Sequence, residues 1–192
     1  MLDPMQKFGL WKENANENSP LLEKNAVCVS TIDADGYPVG RFVDLKDFDD
    51  TGFIFCTALN SPKGKQISAN PKVSITVWWD HVGYQIRIQG TANQISSELA
   101  AEYWSTRSRD AKLTTLCSNQ SVTQSNQTEV AARLAELKLN FNNKEIPKPK
   151  TWGGYKVIPQ SVEFLEFQNN RLHVRELYKK RSGKWERSFL QP

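Results

Sequence analysis

The chain has 192 residues, of which 39% are hydrophobic and 24% charged, a composition typical of globular proteins rather than disordered or membrane-embedded ones. Its 25 basic and 21 acidic residues leave a net charge of +4, too small for a long nucleic-acid track but suited to a few phosphate groups. No apolar run approaches the roughly 18 residues of a membrane helix, and the N-terminus is too polar for a signal peptide. We therefore expect one domain over residues 1–192, with 1–25 as a partly ordered leader, a cytoplasmic location, and no nucleic-acid or membrane partner.

Cysteine and histidine are too scarce for the usual metal sites. Cys28, Cys56 and Cys117 are odd in number and far apart, which indicates neither a disulfide framework nor a zinc finger. With only His81 and His173 in the chain, a metal site built from histidines is not expected. We predict no metal ion and a reducing compartment.

The first half of the chain is typical of antiparallel strands. Alternating or β-rich segments are separated by short turns, as in hairpins, and they cover Ala26–Ile32, 37–46, Gly52–Thr57, Lys72–Trp79 and Gly83–Ile95. One short helix is predicted over Lys63–Ala69, with Ser61 as its N-cap and Pro62 at its first position.

The second half mixes helices and strands. Helical periodicity covers Ser97–Arg107 and Glu129–Phe141, with a polar loop from Leu116 to Thr128 between them. A Pro-rich connector over 146–155 leads to extended segments at Ser161–Phe167 and Arg171–Tyr178. The prediction is a mainly β fold, an antiparallel sheet or barrel of six or so strands with helices on its outside.

Arg171, His173 and Arg175 alternate in an extended segment, which would place them on one face of a strand. Arginine forks and a histidine suit a phosphate or carboxylate. Spacing alone slightly favours the alternative, a solvated face of an edge strand.

Other basic residues allow a similar pair of interpretations. Tyr103 and Arg107 lie four apart on a predicted helix and could hold an anion, although an aromatic ring packed on an arginine stem is the commoner arrangement. Lys63 at a helix start suits a phosphate, but a plain capped helix explains the same pattern. Arg41 and Lys46 fall on opposite faces of one strand, which by itself indicates no site.

Seven segments taken in order resemble the pyridoxamine 5'-phosphate oxidase family. They are RFVDLK, FCTALNSPKGKQISANP, YQIRIQG, YWSTRSRD, SNQS, PKTWGGY and RLHVR, and the resemblance runs from about Val27 to Pro192. It implies a split β-barrel of Greek-key type that binds FMN at the interface of a homodimer. The implied reaction oxidises pyridoxamine or pyridoxine 5'-phosphate to pyridoxal 5'-phosphate, with molecular oxygen as acceptor and hydrogen peroxide as a product.

The resemblance also implies roles for individual positions. The implied cofactor-binding residues are Arg41, Phe42, Val43, Asp44, Leu45, Lys46, Cys56, Thr57, Lys63, Gln85, Gln120, Ser121 and Arg175. Lys46, Tyr103 and Arg107 match groups that hold the substrate's phosphate. Arg171 and His173 match the catalytic pair over the pyridine ring of the substrate.

The chain departs from the family pattern at five positions. A serine of the substrate phosphate site is Ala111, an arginine beside the cofactor lysine is Pro62, and a tryptophan near the flavin is Leu165. Val174 replaces an acid, and Asp44 adds a negative charge to a segment that is normally apolar. A neutral hydrogen bond contributes about 0.5–1.5 kcal/mol and a charged one about 1.5–3 kcal/mol, so Pro62 is the heavier loss.

Three hypotheses remain open at this point. The first is an FMN-dependent oxidase of a vitamin B6 phosphate, and the second is a related oxidase of another reduced ring compound, such as a phenazine precursor. The third is a protein that binds a flavin or a B6 phosphate without useful turnover. The presence of Arg171 and His173 favours the enzymes.

Overall fold

The computed structural model describes residues 2–17, 19–124, 126 and 128–192. Met1 and Asn18 of the predicted leader, and Ser125 and Gln127 of the predicted loop, lie outside them. The strands are β1 (Ala26–Ile32), β2 (Pro38–Asp49), β3 (Gly52–Ala58), β4 (Lys72–Trp79), β5 (Tyr84–Gln94), β6 (Trp152–Glu166), β7 (Val174–Arg181) and β8 (Lys184–Leu190). The helices are α1 (Pro4–Asn16), α2 (Pro62–Ala69), α3 (Ser97–Ser105), α4 (Arg109–Cys117) and α5 (Thr128–Asn140), with a 3-10 turn over Asp80–Val82.

The strands form one antiparallel sheet in the order β3-β2-β1-β4-β5-β6-β7-β8. A further pairing between β3 and β6 closes the first six of these into a barrel, and β7 and β8 extend the sheet beyond it. Strand β4 returns through α2 to lie beside β1, which makes the order β4-β1-β2-β3 a Greek key. The predicted mainly β fold, with a barrel of about six strands and helices outside it, is confirmed.

Alternation along the strands separates the core from the outer face. In β5, Ile86 and Ile88 are fully buried, while Arg87 and Gln89 between and beyond them are exposed. The first strand follows the same rule with Val27 and Val29 inside. This period of two is the signal that predicted the strands from the sequence.

Helix α1 lies in the segment that the sequence analysis treated only as a polar leader. Asp3 caps it by accepting from the Met5 N–H at 2.8 Å, and Met5 and Phe8 are buried in the barrel core. The Phe8 ring meets Phe53 of β3 edge-on at 4.8 Å. The missed signal was local, because an Asp-Pro start followed by apolar residues three apart is a helix pattern.

Strand β6 is longer than predicted, because it begins at Trp152, inside the predicted connector over 146–155, and continues to Glu166. Gly154 pairs with Cys56 of β3, and a Cβ at Gly154 would lie 2.6 Å from the Phe55 carbonyl oxygen, so only glycine fits there. Pro159 falls at a register shift opposite Gly90, where a proline costs no ladder hydrogen bond. The two glycines of the predicted connector, Gly153 and Gly154, therefore lie in a strand, whereas its prolines, Pro147 and Pro149, precede β6 as predicted for a connector.

The helical half also differs from the prediction. Helix α3 ends at Ser105, so Arg107 lies beyond it, and Ser108 starts α4 by accepting from the Ala111 N–H at 3.3 Å. The prediction that Arg107 lies on the helix over Ser97–Arg107 is therefore wrong, because α3 ends early and the serine N-cap of the next helix follows at Ser108. Trp104 and Trp152 pack edge-on at 5.0 Å in a second core between these helices and the barrel. None of the helices in the described residues is long and apolar enough to cross a membrane.

Candidate active site

Lys63 is a buried cation whose partners are all neutral. Its side chain sits at the start of α2 and the residue is 7% exposed. The ammonium donates to Thr57 Oγ1 at 2.8 Å and to Gln120 Oε1 at 2.7 Å. Within the described ranges, no carboxylate lies within ion-pair distance of it. A buried charge without a counter-ion is costly, so this position is suited to an incoming anion.

The local sequence explains why Lys63 is held there. Ser61 caps α2 by accepting from the Gly64 N–H at 3.3 Å, and Pro62 occupies the first helical position. A Cβ at Gly64 would lie 2.1 Å from the carbonyl oxygen of Leu59, so a glycine is required for this close approach. The predicted cap and helix are confirmed, and they fix Lys63 over the end of β3.

Arg41 of β2 adds a second cation to this cluster. It donates to Thr31 Oγ1 at 2.6 Å and to Gln66 Oε1 at 3.0 Å, and both acceptors are neutral. Burial, together with the nearby charge of Arg41, lowers the pKa of Lys63 to about 8. Burial also lowers the pKa of Arg41. In both cases the cause is partial or full burial of a positive charge, and the hydrogen-bond partners of the two cations are neutral.

Arg107 is the third cation with only neutral partners. It donates from Nη2 to the Ala111 carbonyl oxygen and to Thr115 Oγ1, both at 3.2 Å. Its guanidinium lies 5.7 Å from the ring centre of Trp104 and 5.2 Å from that of Trp152. Its Nε is buried without a hydrogen-bond partner among the described residues. An unpaired buried donor on a cation indicates that an acceptor binds there.

Lys46 and Tyr103, the other predicted substrate-phosphate residues, each contact an acid. Lys46 sits at a bulge in the β2–β3 ladder and forms an ion pair with Asp44. The Tyr103 hydroxyl donates to Asp47 Oδ2 at 3.4 Å, and burial, reinforced by Asp47, raises the pKa of Tyr103 to about 12. Lys46 and Tyr103 therefore each have a carboxylate partner within the chain, whereas Arg107 has only neutral hydrogen-bond partners.

A cavity of about 310 Å³ is bordered by Arg107 and by Thr57 and Gln120, the two acceptors that Lys63 contacts. Its walls include Cys56, Thr57, Arg107, Ala111, Thr115 and Gln120. The thiol of Cys56 has its pKa raised to about 11, because burial outweighs the opposing charges of Lys46 and Arg107. A protonated thiol is a poor nucleophile, so Cys56 is a wall of the cavity rather than a reactive group.

Gln85 and Arg175 lie in one row across the sheet. Gln85 of β5 is opposite Leu165 of β6, which is opposite Arg175 of β7. Arg175 makes a two-pronged contact with Glu163 Oε1, at 3.0 Å from Nε and 2.8 Å from Nη2, and Arg87 pairs with the other oxygen. Unlike Arg41, Lys63 and Arg107, Arg175 therefore has an acid partner within its own chain.

The predicted common strand face of Arg171, His173 and Arg175 is wrong. Strand β7 begins only at Val174, and Arg171 has φ 64° in the turn before it. That turn is held because the Arg171 N–H donates to the Gln168 carbonyl oxygen at 2.9 Å. Sequence alternation cannot reveal a left-handed turn residue when the residue is not glycine.

His173 is oriented by this turn. Its Nδ1 accepts from the Gln168 N–H at 3.0 Å, and its ring meets Phe167 edge-on at 5.0 Å. A backbone N–H can only donate, so the neutral ring carries its proton on Nε2. The loop between β6 and β7 therefore carries both an Nε2–H donor, on His173, and the exposed Arg171.

Not all predicted site residues come together in one chain. Leu45 is 3% exposed in the core, Phe42 is 75% exposed, and Ser121 is exposed with φ 63°. Gln85 lies on β5, Arg175 on β7, and Arg171 and His173 in the loop between β6 and β7. In the described part of the chain, none of these four residues makes a polar contact with Lys63 or Arg107.

Sequence reasoning missed three residues that touch the cations, Thr31, Gln66 and Thr115. Gln66 is three residues after Lys63 on α2, and Thr115 is four residues after Ala111 on α4. Helical spacing was therefore the available signal for two of them.

Comparison with known proteins agrees with this architecture. Residues 15–141 match the family model described as pyridoxamine 5'-phosphate oxidase. Residues 152–192 match the model of a pyridoxine 5'-phosphate oxidase C-terminal dimerisation region. A pyridoxine/pyridoxamine 5'-phosphate oxidase of Rubrobacter xylanophilus is 40% identical over 99% of this chain and 87% of its own length. One from Shewanella sediminis is also 40% identical, over 99% of this chain and 89% of its own.

Solved structures show the same fold. PhzG from Burkholderia lata 383, in complex with tetrahydrophenazine-1-carboxylic acid, superposes with a TM-score of 0.93 at 28% identity, covering 99% of this chain and 93% of that one. A pyridoxamine 5'-phosphate oxidase-related, FMN-binding protein from Nostoc punctiforme has a TM-score of 0.80 at 19% identity with full coverage of both chains, a likeness of fold. This chain belongs to the pyridoxamine 5'-phosphate oxidase family.

Proposed function

We propose that this protein is an FMN-dependent oxidase that converts pyridoxamine or pyridoxine 5'-phosphate to pyridoxal 5'-phosphate, with oxygen as acceptor and hydrogen peroxide as a product. The observation that carries the proposal is that some buried or half-buried cations have only neutral hydrogen-bond partners, whereas Lys46 and Arg175 are paired with carboxylates. Arg41, Lys63 and Arg107 contact only neutral acceptors, and one cavity is bordered by Arg107 and by the Lys63 partners Thr57 and Gln120. One anion site at Arg41 and Lys63 and another at Arg107 suit two phosphate esters, one on a cofactor and one on a substrate.

The Lys63 cluster fits the phosphate of FMN. Lys63 supplies an ammonium and Arg41 a guanidinium, and Thr57 Oγ1 and Gln120 lie within hydrogen-bond distance of the ammonium. Pro62 offers no charge, so Arg41 and Lys63 are the cations of this site. When bound, FMN supplies the redox chemistry by accepting a hydride from the carbon that becomes the aldehyde.

The Arg107 cluster fits the phosphate of the substrate. The orphan Nε of Arg107 needs an acceptor, and Lys46 and Tyr103 are neighbours of the same cavity wall at Cys56. Lys46 must exchange Asp44 for the phosphate, so part of its binding energy is offset by breaking that ion pair. Holding the phosphate fixes the reacting carbon relative to the flavin.

A homodimer is part of the proposal. Within one chain the loop with Arg171 and His173 makes no polar contact with Lys63 or Arg107, and we infer that the partner copy supplies it to complete each site. The region matching a dimerisation model carries exposed apolar side chains, among them Leu172 at 66% and Phe189 at 65% exposed. A partner that covers them would remove apolar surface from water.

The test is hydrogen peroxide release by the purified, FMN-loaded protein with pyridoxamine 5'-phosphate as the sole substrate. We expect one peroxide for each pyridoxal 5'-phosphate formed. A protein that stays colourless after incubation with FMN contradicts the cofactor assignment. A yellow protein that releases no peroxide contradicts the substrate and supports a binding role.

A second candidate is an oxidase of a reduced phenazine precursor. The likeness to PhzG at a TM-score of 0.93 favours it, as do Ala111 and the Asp44–Lys46 pair, which both weaken the substrate-phosphate site. Peroxide release with a dihydrophenazine carboxylic acid, but not with pyridoxamine 5'-phosphate, would select this alternative. The unpaired Arg107 suits a carboxylate as well as a phosphate.

We expect substitution of Arg171 or His173 by alanine to lower turnover by at least about tenfold, each losing one polar contact to the reacting ring. Flavin content should stay unchanged, because neither residue belongs to the Lys63 cluster. Turnover is measured by peroxide release and flavin by absorbance. His81→Ala, which removes the other histidine, is the control and should keep its turnover. Loss of flavin from either loop variant would place these residues in the cofactor site instead.

We also expect the affinity for FMN to depend on pH through Lys63. Its pKa of about 8 lies below the usual lysine value, so the ammonium is lost above about pH 8. A phosphate ester is a dianion above about pH 6, which leaves a plateau of tight binding between about pH 6 and about pH 8. Above it the dissociation constant should rise, by up to tenfold per pH unit, in fluorescence titrations of the apoprotein.

The lowered pKa of Lys63 also makes the folding stability depend on pH, and stability rises with pH where the affinity for FMN falls. Between about pH 8 and the ordinary lysine value the unfolded chain binds more protons than the folded one, so this group makes the apoprotein more stable as the pH rises. Lys63→Met should bind FMN weakly at every pH. A wild-type affinity that is flat from about pH 7 to about pH 9.5 would show that Lys63 does not hold the phosphate.

A further inference from the structure

Thr115 carries a hydroxyl that lines the same cavity as Arg107. Ala111 and Thr115 are one turn apart on α4, and both line the cavity of about 310 Å³. Ala111 has no polar side-chain atom, so its side chain offers nothing to an anion there. Thr115 is half-buried and carries a hydroxyl on the same face of the helix.

The hydroxyl of Thr115 is in direct contact with the guanidinium of Arg107. Its Oγ1 accepts from Arg107 Nη2 at 3.2 Å and donates to the Ala111 carbonyl oxygen at 2.8 Å. Any oxygen that binds this edge of the guanidinium is therefore within reach of the hydroxyl. A threonine hydroxyl has one proton and two lone pairs and turns freely between partners.

The proton can be redirected without leaving a polar group unsatisfied. The Ala111 carbonyl oxygen also accepts from Arg107 Nη2 at 3.2 Å, so it keeps a side-chain partner when the hydroxyl turns away. The cost of the switch is then small, because no buried acceptor is orphaned. The new bond to an anion is charge-assisted and stronger than the bond to a neutral carbonyl that it replaces.

We propose that Thr115 is a substrate-binding residue whose hydroxyl turns from the Ala111 carbonyl to donate to the substrate's phosphate beside Arg107. The inference rests on the proposed function and names a further specificity-determining group within it. Thr115 provides from one turn further along α4 the neutral hydrogen bond that Ala111 cannot provide. The site thereby favours a phosphate ester over the unphosphorylated compound.

The test compares two ligands on the FMN-loaded protein, pyridoxal 5'-phosphate and pyridoxal. Thr115→Val removes the hydroxyl and keeps the side-chain shape. We expect the dissociation constant of pyridoxal 5'-phosphate to rise by roughly 2- to 12-fold, the range of one neutral hydrogen bond, and that of pyridoxal to stay unchanged. Thr115→Ser should bind like the wild type, and Ala111→Ser added to Thr115→Val should restore the affinity.

Thr114→Val is the matched control, because Thr114 lines the same cavity but is not a hydrogen-bond partner of Arg107. It should bind both ligands like the wild type. Equal weakening of both ligands by Thr115→Val, or no weakening, overturns the role of Thr115. The wild-type protein is measured first. If it binds neither pyridoxal 5'-phosphate nor pyridoxal, the proposed function is overturned, and the role of Thr115 with it.

Discussion

We expect Lys63→Met to be purified without flavin and to bind added FMN at least about 10- to 150-fold more weakly than the wild type. Loss of one charged hydrogen-bonded contact costs about 1.5–3 kcal/mol, and Lys63 offers more than one donor to a phosphate. Its ammonium already contacts Thr57 and Gln120 at the cluster that would receive the ester. Titration of apoprotein with FMN, followed by quenching of flavin fluorescence, measures the change.

Two controls separate lost binding from lost folding. Lys65→Met removes the same charge from an exposed position on the same helix, and it should bind FMN like the wild type. The apoprotein of Lys63→Met should unfold at the wild-type temperature or above it, because the substitution removes a buried charge that has no acid partner in the described chain. Retention of flavin by Lys63→Met would contradict the assignment of this cluster to the cofactor.

Arg107→Met should remove the preference for a phosphorylated substrate. We expect kcat/KM with pyridoxamine 5'-phosphate to fall about 10- to 150-fold, because a charged contact to the phosphate is lost. Turnover of unphosphorylated pyridoxamine should change little, since it has no anion to pair with Arg107. For Arg107→Lys, we expect kcat/KM with pyridoxamine 5'-phosphate to lie between the values of the wild type and Arg107→Met. The lysine keeps the charge but loses the planar fork that presents Nε and Nη2 together.

The matched control for this substitution is Arg133→Met, on the exposed side of α5. It lowers the net charge by the same amount and should leave both substrates unaffected. If Arg107→Met reduced the turnover of both substrates equally, the residue would act on the ring or on the fold rather than on the phosphate. The unfolding temperature distinguishes those two cases, because Arg107 also packs on Trp104 and Trp152.

Local patterns in the sequence were enough for most of the barrel and for the cap that holds Lys63. Alternation in β1, β4 and β5 and the Ser-Pro start of α2 depend on neighbouring residues only, so they can be read without a fold. Where a residue's conformation depends on a distant partner, the patterns failed. Gly154 is in a strand because β3 lies against it, and Arg171 sits in a left-handed turn that the alternation of RLHVR conceals.

Residue order alone revealed the family resemblance, the barrel class and the residues that could carry charge to a phosphate. Which of those charges are available to a ligand depends on the contacts that form in the folded chain. Arg175 and Lys46 have carboxylate partners in the same chain, while Arg41, Lys63 and Arg107 have only neutral ones. The Asp44–Lys46 pair is local, but Arg175 and Glu163 are 12 residues apart in the sequence, and Lys63 and Gln120 are 57 apart. Contact between such distant residues is set by the fold. It depends on side chains meeting in space, and no local pattern reports that.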